Sequence, residues 1–277
     1  MVDSAVLQGI LTFGPVFILI AVRAFAMIQV APLFSSESIP IAVKFALAGF
    51  AAFAVLPAAN YSDVVGDMLF LDSIGLQFFL LIIGEAMIGL IMGFYLTIIF
   101  TTFSTAGQFF TLQMGFGASE TFDPLSQIEN PLMGQFLNLI SMLVFIAIDG
   151  FQRFFVVGFW RSVQTINVVS LIHGREPVIS MLVSGLAQLF LDAFIISLPI
   201  LGTLFLTSLT TGLISKAAPQ INILAQGFPI AIMVAFLIIL VSLPFMIDAF
   251  ARVLDSGFRN IESLYAQIGR PITAGGY

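Results

Sequence analysis

Residues 178–214 read VISMLVSGLAQLFLDAFIISLPILGTLFLTSLTTGLI, an apolar run interrupted only by Asp192 and Pro199. At about 1.5 Å per residue a helix of this length reaches roughly 55 Å, well past a hydrocarbon core of about 30 Å. The run is therefore two short segments, or one long helix that leaves the lipid and packs on protein. The remainder of the chain has the same character. Of 277 residues, 60% are hydrophobic and 9% charged, with a mean hydropathy of +1.12. Soluble domains are nearer half apolar and a quarter charged. A surface of this composition needs lipid or other protein as its solvent, and an all-α integral membrane protein follows.

Working outward, about six long apolar segments appear. The first covers roughly Gly9 to Phe34, with Arg23 inside it and Pro32 near its end. After a short polar break, Lys44 opens a second run to Ala59 that is rich in alanine and glycine, a composition suited to close packing of membrane helices. Asp63, Asp67 and Asp72 mark an acidic loop. A third run, Ile74 to about Phe103, holds Glu85 and the Gly89-x-x-x-Gly93 spacing, and a fourth extends from Leu132 to Ile148. Phe154 to Ile172, with Arg161, Gln164 and Asn167 among apolar residues, reads as an interfacial or protein-buried helix. The last run, Leu224 to Phe250, leads into a tail whose Val253, Phe258, Ile261, Leu264 and Ile268 recur at helical spacing. Arg252, Arg259 and Arg270 in that tail favour a cytoplasmic C-terminus.

Composition also excludes chemistry. With no cysteine there is no thiolate nucleophile or cysteine-ligated metal, and the single His173 makes a histidine-based site improbable. No Gly-x-x-x-x-Gly-Lys-Ser/Thr loop is present to hold nucleotide phosphates. A net charge of −6 opposes nucleic-acid binding. No cofactor and no metal are expected, and the chain reads as non-enzymatic. The first ten residues carry Asp3 and no basic residue, unlike a signal-peptide n-region.

One insert breaks the pattern. Gly107-Gln-Phe-Phe-Thr-Leu-Gln-Met-Gly-Phe-Gly-Ala-Ser-Glu-Thr-Phe-Asp-Pro-Leu-Ser-Gln-Ile-Glu-Asn-Pro131 combines bulky apolar residues with paired glycines, three carboxylates and two prolines. Non-helical backbone at membrane depth survives only when buried in protein or lining a watery path. Gly115 and Gly117 allow a bend, and Pro124 fixes its own φ while pushing Asp123 towards an extended shape. Phe109, Phe110, Met114 and Phe116 supply soft bulk suited to filling a narrow pore. On the residues alone, a plug and an ordinary helix–loop–helix connection are equally supported.

Two motifs, taken together, carry a resemblance. Gln113-Met114-Gly115-Phe116 with Phe122-Asp123-Pro124, followed later by Ala218-Pro219-Gln220-Ile221-Asn222 and Gly227-Phe228-Pro229, resembles the FliR family of bacterial flagellar type III export-gate proteins. Arg23, Ala31-Pro32-Leu33, Ile39-Pro40 and Lys44 look like that family's first segments. Asp149-Gly150-Phe151 departs from an Asn-Gly-His common there, and Gln108 stands where an acid is common. The resemblance implies a FliP-like N-terminal bundle over 1–177, including the loop 107–131, and a FliQ-like hairpin with tail over 178–277. It implies a hetero-oligomeric gate with FliP- and FliQ-type membrane subunits, and a FlhB-type subunit, passing unfolded export substrates. The implied place is the bacterial inner membrane at the flagellar basal body. It also favours the plug role for Phe109, Phe110, Gln113, Met114, Gly115, Phe116, Gly117, Asp123 and Pro124.

Around the second motif, Lys216, Pro219, Gln220 and Asn222 read as a tight hairpin tip that faces a partner subunit or the cytoplasm, and Gly227, Phe228 and Pro229 set the start or bend of the last helix. Arg23 and Glu85 inside apolar runs read as a structural charge pair rather than a proton relay, since no chain of further acids accompanies them. Asp192 and Asp248 read as helix-packing contacts. Two alternatives stand beside the gate: the injectisome counterpart, and a secondary transporter of small solutes. The transporter requires inverted halves with matching interruptions, and the two halves look dissimilar.

Overall fold

The computed structural model describes residues 4–35, 39–59, 75–115, 132–218 and 223–268. Every element in them is helical: α1 (Ser4–Val30), α2 (Ile41–Val55) with a 3₁₀ turn Leu56–Ala58, α3 (Leu76–Gln113), α4 (Leu132–Ala147), α5 (Gly150–Arg153), a π segment Phe154–Trp160, α6 (Arg161–Thr165), α7 (Val168–His173), α8 (Arg175–Ala217) and α9 (Ile223–Ile268). Five of these stretches are long and apolar enough to cross a membrane, and the pieces 132–147 and 150–165 make a sixth if counted as one span. The acidic loop, Arg270, and Phe116, Gly117, Asp123, Pro124, Pro219, Gln220 and Asn222 lie outside the described residues.

The boundaries differ from the sequence reading in two places, and at a third the structure decides between two alternatives. The third helix does not stop near Phe103 but continues through Gly107 to Gln113, because nothing between them breaks an α-helix. Of the two alternatives for 178–214, it is one helix, running through Pro199; losing one backbone bond is tolerated within so long a hydrogen-bonded rod. The stretch 154–172 is three short pieces, not one helix. Ile166 leaves the helix in an extended conformation, and Asn167 and Ser170 then form a reciprocal capping box that starts α7.

The chain divides into two units. The first consists of Met1–Thr97, Asp149–Ser184 and Ser256–Tyr277. Here α2 packs on α1, burying a stripe of Lys44, Ala48, Ala51, Ala52 and Val55. Small residues let the two backbones approach. Gly89 and Gly93 do the same for α3: a Cβ on Gly89 would collide with the Arg23 carbonyl oxygen, and one on Gly93 would lie 2.7 Å from that of Met27. The Thr97 hydroxyl then donates to the Val30 carbonyl at 3.0 Å, satisfying an orphan acceptor at the end of α1. Phe34 packs among the rings of Phe151, Phe154 and Phe155 at 5.6–6.3 Å. The tail of α9 buries Phe258, Ile261 and Leu264, as its helical spacing requires.

The second unit consists of Ile98–Ile148 and Gly185–Asp255. Its core is aromatic, with Phe100 against Phe103 and Phe145 at 6.2 and 5.5 Å and Phe103 against Phe250 at 4.5 Å. Gly107 meets the backbone of Gly134 so closely that a Cβ would lie 2.5 Å from its nitrogen.

The glycine contacts generate a test. Gly89→Val forces bulk into the α1 backbone and is expected to lower stability by about 1–3 kcal/mol. Gly49→Ala, where a Cβ meets nothing within 4 Å, is expected to be neutral or to gain up to about 1 kcal/mol in helix propensity. Thermal unfolding in mild detergent measures both, and equal shifts would argue against the close crossing.

Candidate functional site

Arg23 lies at the centre of the first unit with no solvent exposure. Its Nε donates to Oε2 of Glu85 at 2.5 Å, and the carboxylate is itself 1% exposed. Nη1 donates to the Ser162 carbonyl at 2.7 Å, and Nη2 to that of Ile166 at 2.8 Å. The Ile166 carbonyl sits just past the end of α6, where the guanidinium supplies a donor that the interrupted helix lacks, while that of Ser162 also accepts the Ile166 amide at 2.9 Å. One side chain thereby ties α1, α3 and the segment following the π turn. Nearby, the Tyr265 hydroxyl donates to the Gly158 carbonyl at 2.9 Å, and the Asn260 amide to the Tyr95 hydroxyl at 3.0 Å. Both bonds anchor the end of α9. Arg161 and Glu262 also pair at 2.5 Å, but with side chains 51% and 42% exposed such a pair contributes about 0–1 kcal/mol.

This cluster is built to hold helices, since a guanidinium is a poor proton carrier. The sequence reading singled out Arg23 and Glu85 but missed Ser162, Ile166 and Tyr265. A signal was present: one carboxylate cannot satisfy five guanidinium donors, and the polar interruption at Gln164–Asn167 leaves the Ile166 carbonyl outside the helix.

The entrance to the insert belongs to the second unit. Phe110 and Met114 are fully buried against their own chain. Phe109 is half-buried and meets Phe194 edge-on at 6.3 Å. Gln113 is exposed. The Met114 amide donates to the Phe110 carbonyl at 2.9 Å, continuing the helical pattern, whereas that of Gly115 reaches Leu112 at 3.2 Å. Gly115 has φ 88, a left-handed conformation that costs other residues about 1–2 kcal/mol. The helix therefore ends where the Gln-Met-Gly motif begins to turn.

At the second motif, Lys216 is exposed in the last turn of α8, where a cation favours the helix dipole. The Ala218 amide donates to Ile214 at 2.8 Å. Gly227, Phe228 and Pro229 lie in the first two turns of α9. Elsewhere in this unit, the Gln188 amide donates to Asp192 at 2.8 Å along α8, and Asp248 is exposed on α9.

Removing one partner of the central pair strands a charge. Arg23→Met or Glu85→Leu alone is expected to cost about 3–5 kcal/mol, and the two together less than the sum. A double-mutant cycle on unfolding in detergent checks this, with additivity contradicting the pairing.

Comparison with known proteins follows the same lines. The model of the family described as bacterial export proteins, family 1, matches residues 15–257. The chain is 30% identical over 252 residues to the flagellar biosynthetic protein FliR of Borreliella burgdorferi, covering 91% of each. It is 26% identical over 265 residues to that of Bacillus subtilis, covering 95% of this chain and 99% of the relative. With that of Escherichia coli it shares 28% identity over 243 residues, covering 86% and 88%. The chain belongs to the FliR family of bacterial export proteins, as an integral membrane protein of flagellar biosynthesis.

Proposed function

We propose that this chain is a non-enzymatic subunit of the flagellar protein-export gate in the bacterial inner membrane, at the basal body. It contributes part of the channel wall, and the insert between α3 and α4 acts as the closing loop for unfolded substrates. Its partners are FliP- and FliQ-type subunits, with a FlhB-type subunit as a further neighbour. In this reading 178–277 is the FliQ-like hairpin and tail, and 1–177 the FliP-like bundle. Energy is supplied elsewhere, because the sequence has no nucleotide-phosphate loop.

The observation that carries the proposal is the left-handed Gly115 one residue past buried Met114. Phe110 and Met114 anchor the last turn of α3, and Gly115 releases the chain from it. A loop fixed at its root and hinged on glycine can seal and yield. Large apolar side chains stand exposed along the hairpin helices, including Leu213, Met233 and Leu240. They offer surface for neighbouring subunits as well as lipid. The flagellar names of the relatives favour the flagellar over the injectisome role.

A β-branched residue is disfavoured at the hinge, whereas asparagine tolerates left-handed backbone. Gly115→Val is expected to reduce secretion of flagellar substrates and motility, or to leak ions, at unchanged subunit level; Gly115→Asn is expected to retain much of the function. Secretion and ion-leak assays on both variants decide the matter. Normal export and an intact ion barrier with valine would remove the gate role from this loop.

A further inference from the structure

Helical hydrogen bonding changes register inside the first unit. Between α5 and α6 the seven residues Phe154–Trp160 form a π segment, and the Arg161 amide donates to the Val156 carbonyl, five residues back. Such a turn holds about one residue more than an α turn, is rare, and is frequent at functional sites. The residue types do not demand it. Phe154-Phe-Val-Val-Gly-Phe-Trp160 has no proline and a single glycine, so the π register is held from outside the segment.

Side-chain donors grip its carbonyls. The buried Tyr265 hydroxyl donates to the Gly158 carbonyl at 2.9 Å, and the Ser162 hydroxyl to that of Phe159 at 2.6 Å. Arg23 follows at Ser162 and Ile166. Arg23 thus holds α6, and Tyr265, from the end of α9, holds the π turn. Glu262 lies three residues before Tyr265, on the same face of α9, and pairs with Arg161 where α6 begins. A Cβ on Gly158 would lie 2.7 Å from Cε of Met27, so α1 also closes on this turn.

A second register fits the same sequence. With α6 pinned by Arg23, rewinding the π turn as α requires one more helical place on its N-terminal side. There α5 has only four residues and begins at Asp149, whose φ of 57 takes it out of the helix. A displacement of about 1.5 Å at that turn supplies the place. Each residue before Gly158 then occupies the position of its predecessor. Phe155 enters the buried position of Phe154, phenylalanine for phenylalanine, and half-buried Val157 enters the exposed position of Val156, valine for valine. Val156 moves to the half-buried position of Phe155. The doubled Phe-Phe-Val-Val pattern makes the slip nearly neutral for packing, including the rings around Phe34. The hydrogen bond to Gly158 is not neutral, because the slip turns that carbonyl away. We propose that Phe154–Trp160 is a two-register element and that the Tyr265 hydroxyl latches it in the π register, which places the register under the control of the end of α9.

The sequence has no cysteine, so a single thiol introduced by Val156→Cys or Val157→Cys reports the register. The readout is its labelling rate with a membrane-permeable maleimide, on the full chain in mild detergent. With Tyr265 intact, Val156→Cys is expected to label faster than Val157→Cys. Adding Tyr265→Phe, which removes only the hydroxyl, is expected to slow the first and speed the second, each by about twofold or more. Faster labelling at both positions would mean that the turn has merely loosened, and unchanged rates that the hydroxyl latches nothing; either result overturns the proposal. Deleting Val157 removes the residue that the π turn holds in excess. The shortened chain is expected to fold, with cooperative unfolding followed by the emission of Trp160, the one tryptophan in the sequence. Should Tyr265→Phe not fold, this deletion decides alone: a chain that cannot fold without Val157 has no α register to adopt, and the latch is overturned.

Discussion

A guanidinium removed from water must have its donors met, and that requirement organises the first unit. Arg23 contacts one carboxylate and two main-chain carbonyls. The carboxylate lies on α3 and both carbonyls on α6 and its C-cap, so satisfying the charge fixes α1, α3 and α6 to one another. Desolvating the ions is costly, and the same cost penalises any arrangement in which a partner is absent. The glycines of α3 serve this contact. Gly89 removes the side chain that would hold α3 off the Arg23 backbone, and Glu85, one turn earlier, is thereby brought within reach.

The two units solve the packing problem differently. The first uses a buried charge pair, small residues and the Tyr265 hydroxyl on the π segment. The second relies on phenylalanine rings and a glycine-to-glycine crossing. Phe110 and Met114 are buried in the same unit, just before Gly115 turns the chain. The motif that carries the family resemblance is thus part anchor and part hinge.

Much of this was legible in the residues. Apolar runs located the long helices because lipid-facing and core-facing positions are both apolar, and the tail's spacing marked the buried face of α9. The same apolarity hid the boundaries. Gln108, Thr111 and Gln113 spread polar residues over the last turns of α3 without singling out its end, so the loop seemed to open at Gly107, six residues before the helix stops. Pro199 left open whether 178–214 is one helix or two segments, because proline lacks an amide, and α8 passes through it. The role of Arg23 was visible as a buried charge, but two of its acceptors are backbone carbonyls, which no residue type announces. Asp149 had a similar ambiguity: it adopts φ 57, a conformation open to Asn and Asp, so its departure from the family pattern leaves the backbone turn intact.

The central claim is that Arg23 holds the interrupted segment 161–173 in place. Amide hydrogen exchange of the detergent-solubilised chain, compared between the native protein and Arg23→Lys, tests it most directly. An ammonium keeps the charge but cannot span Glu85, Ser162 and Ile166 with planar donors. Exchange should rise across 161–173 and around Glu85, while the aromatic core near Phe100 and Phe145 stays protected. Uniform change throughout the chain, or none at 161–173, would contradict the account.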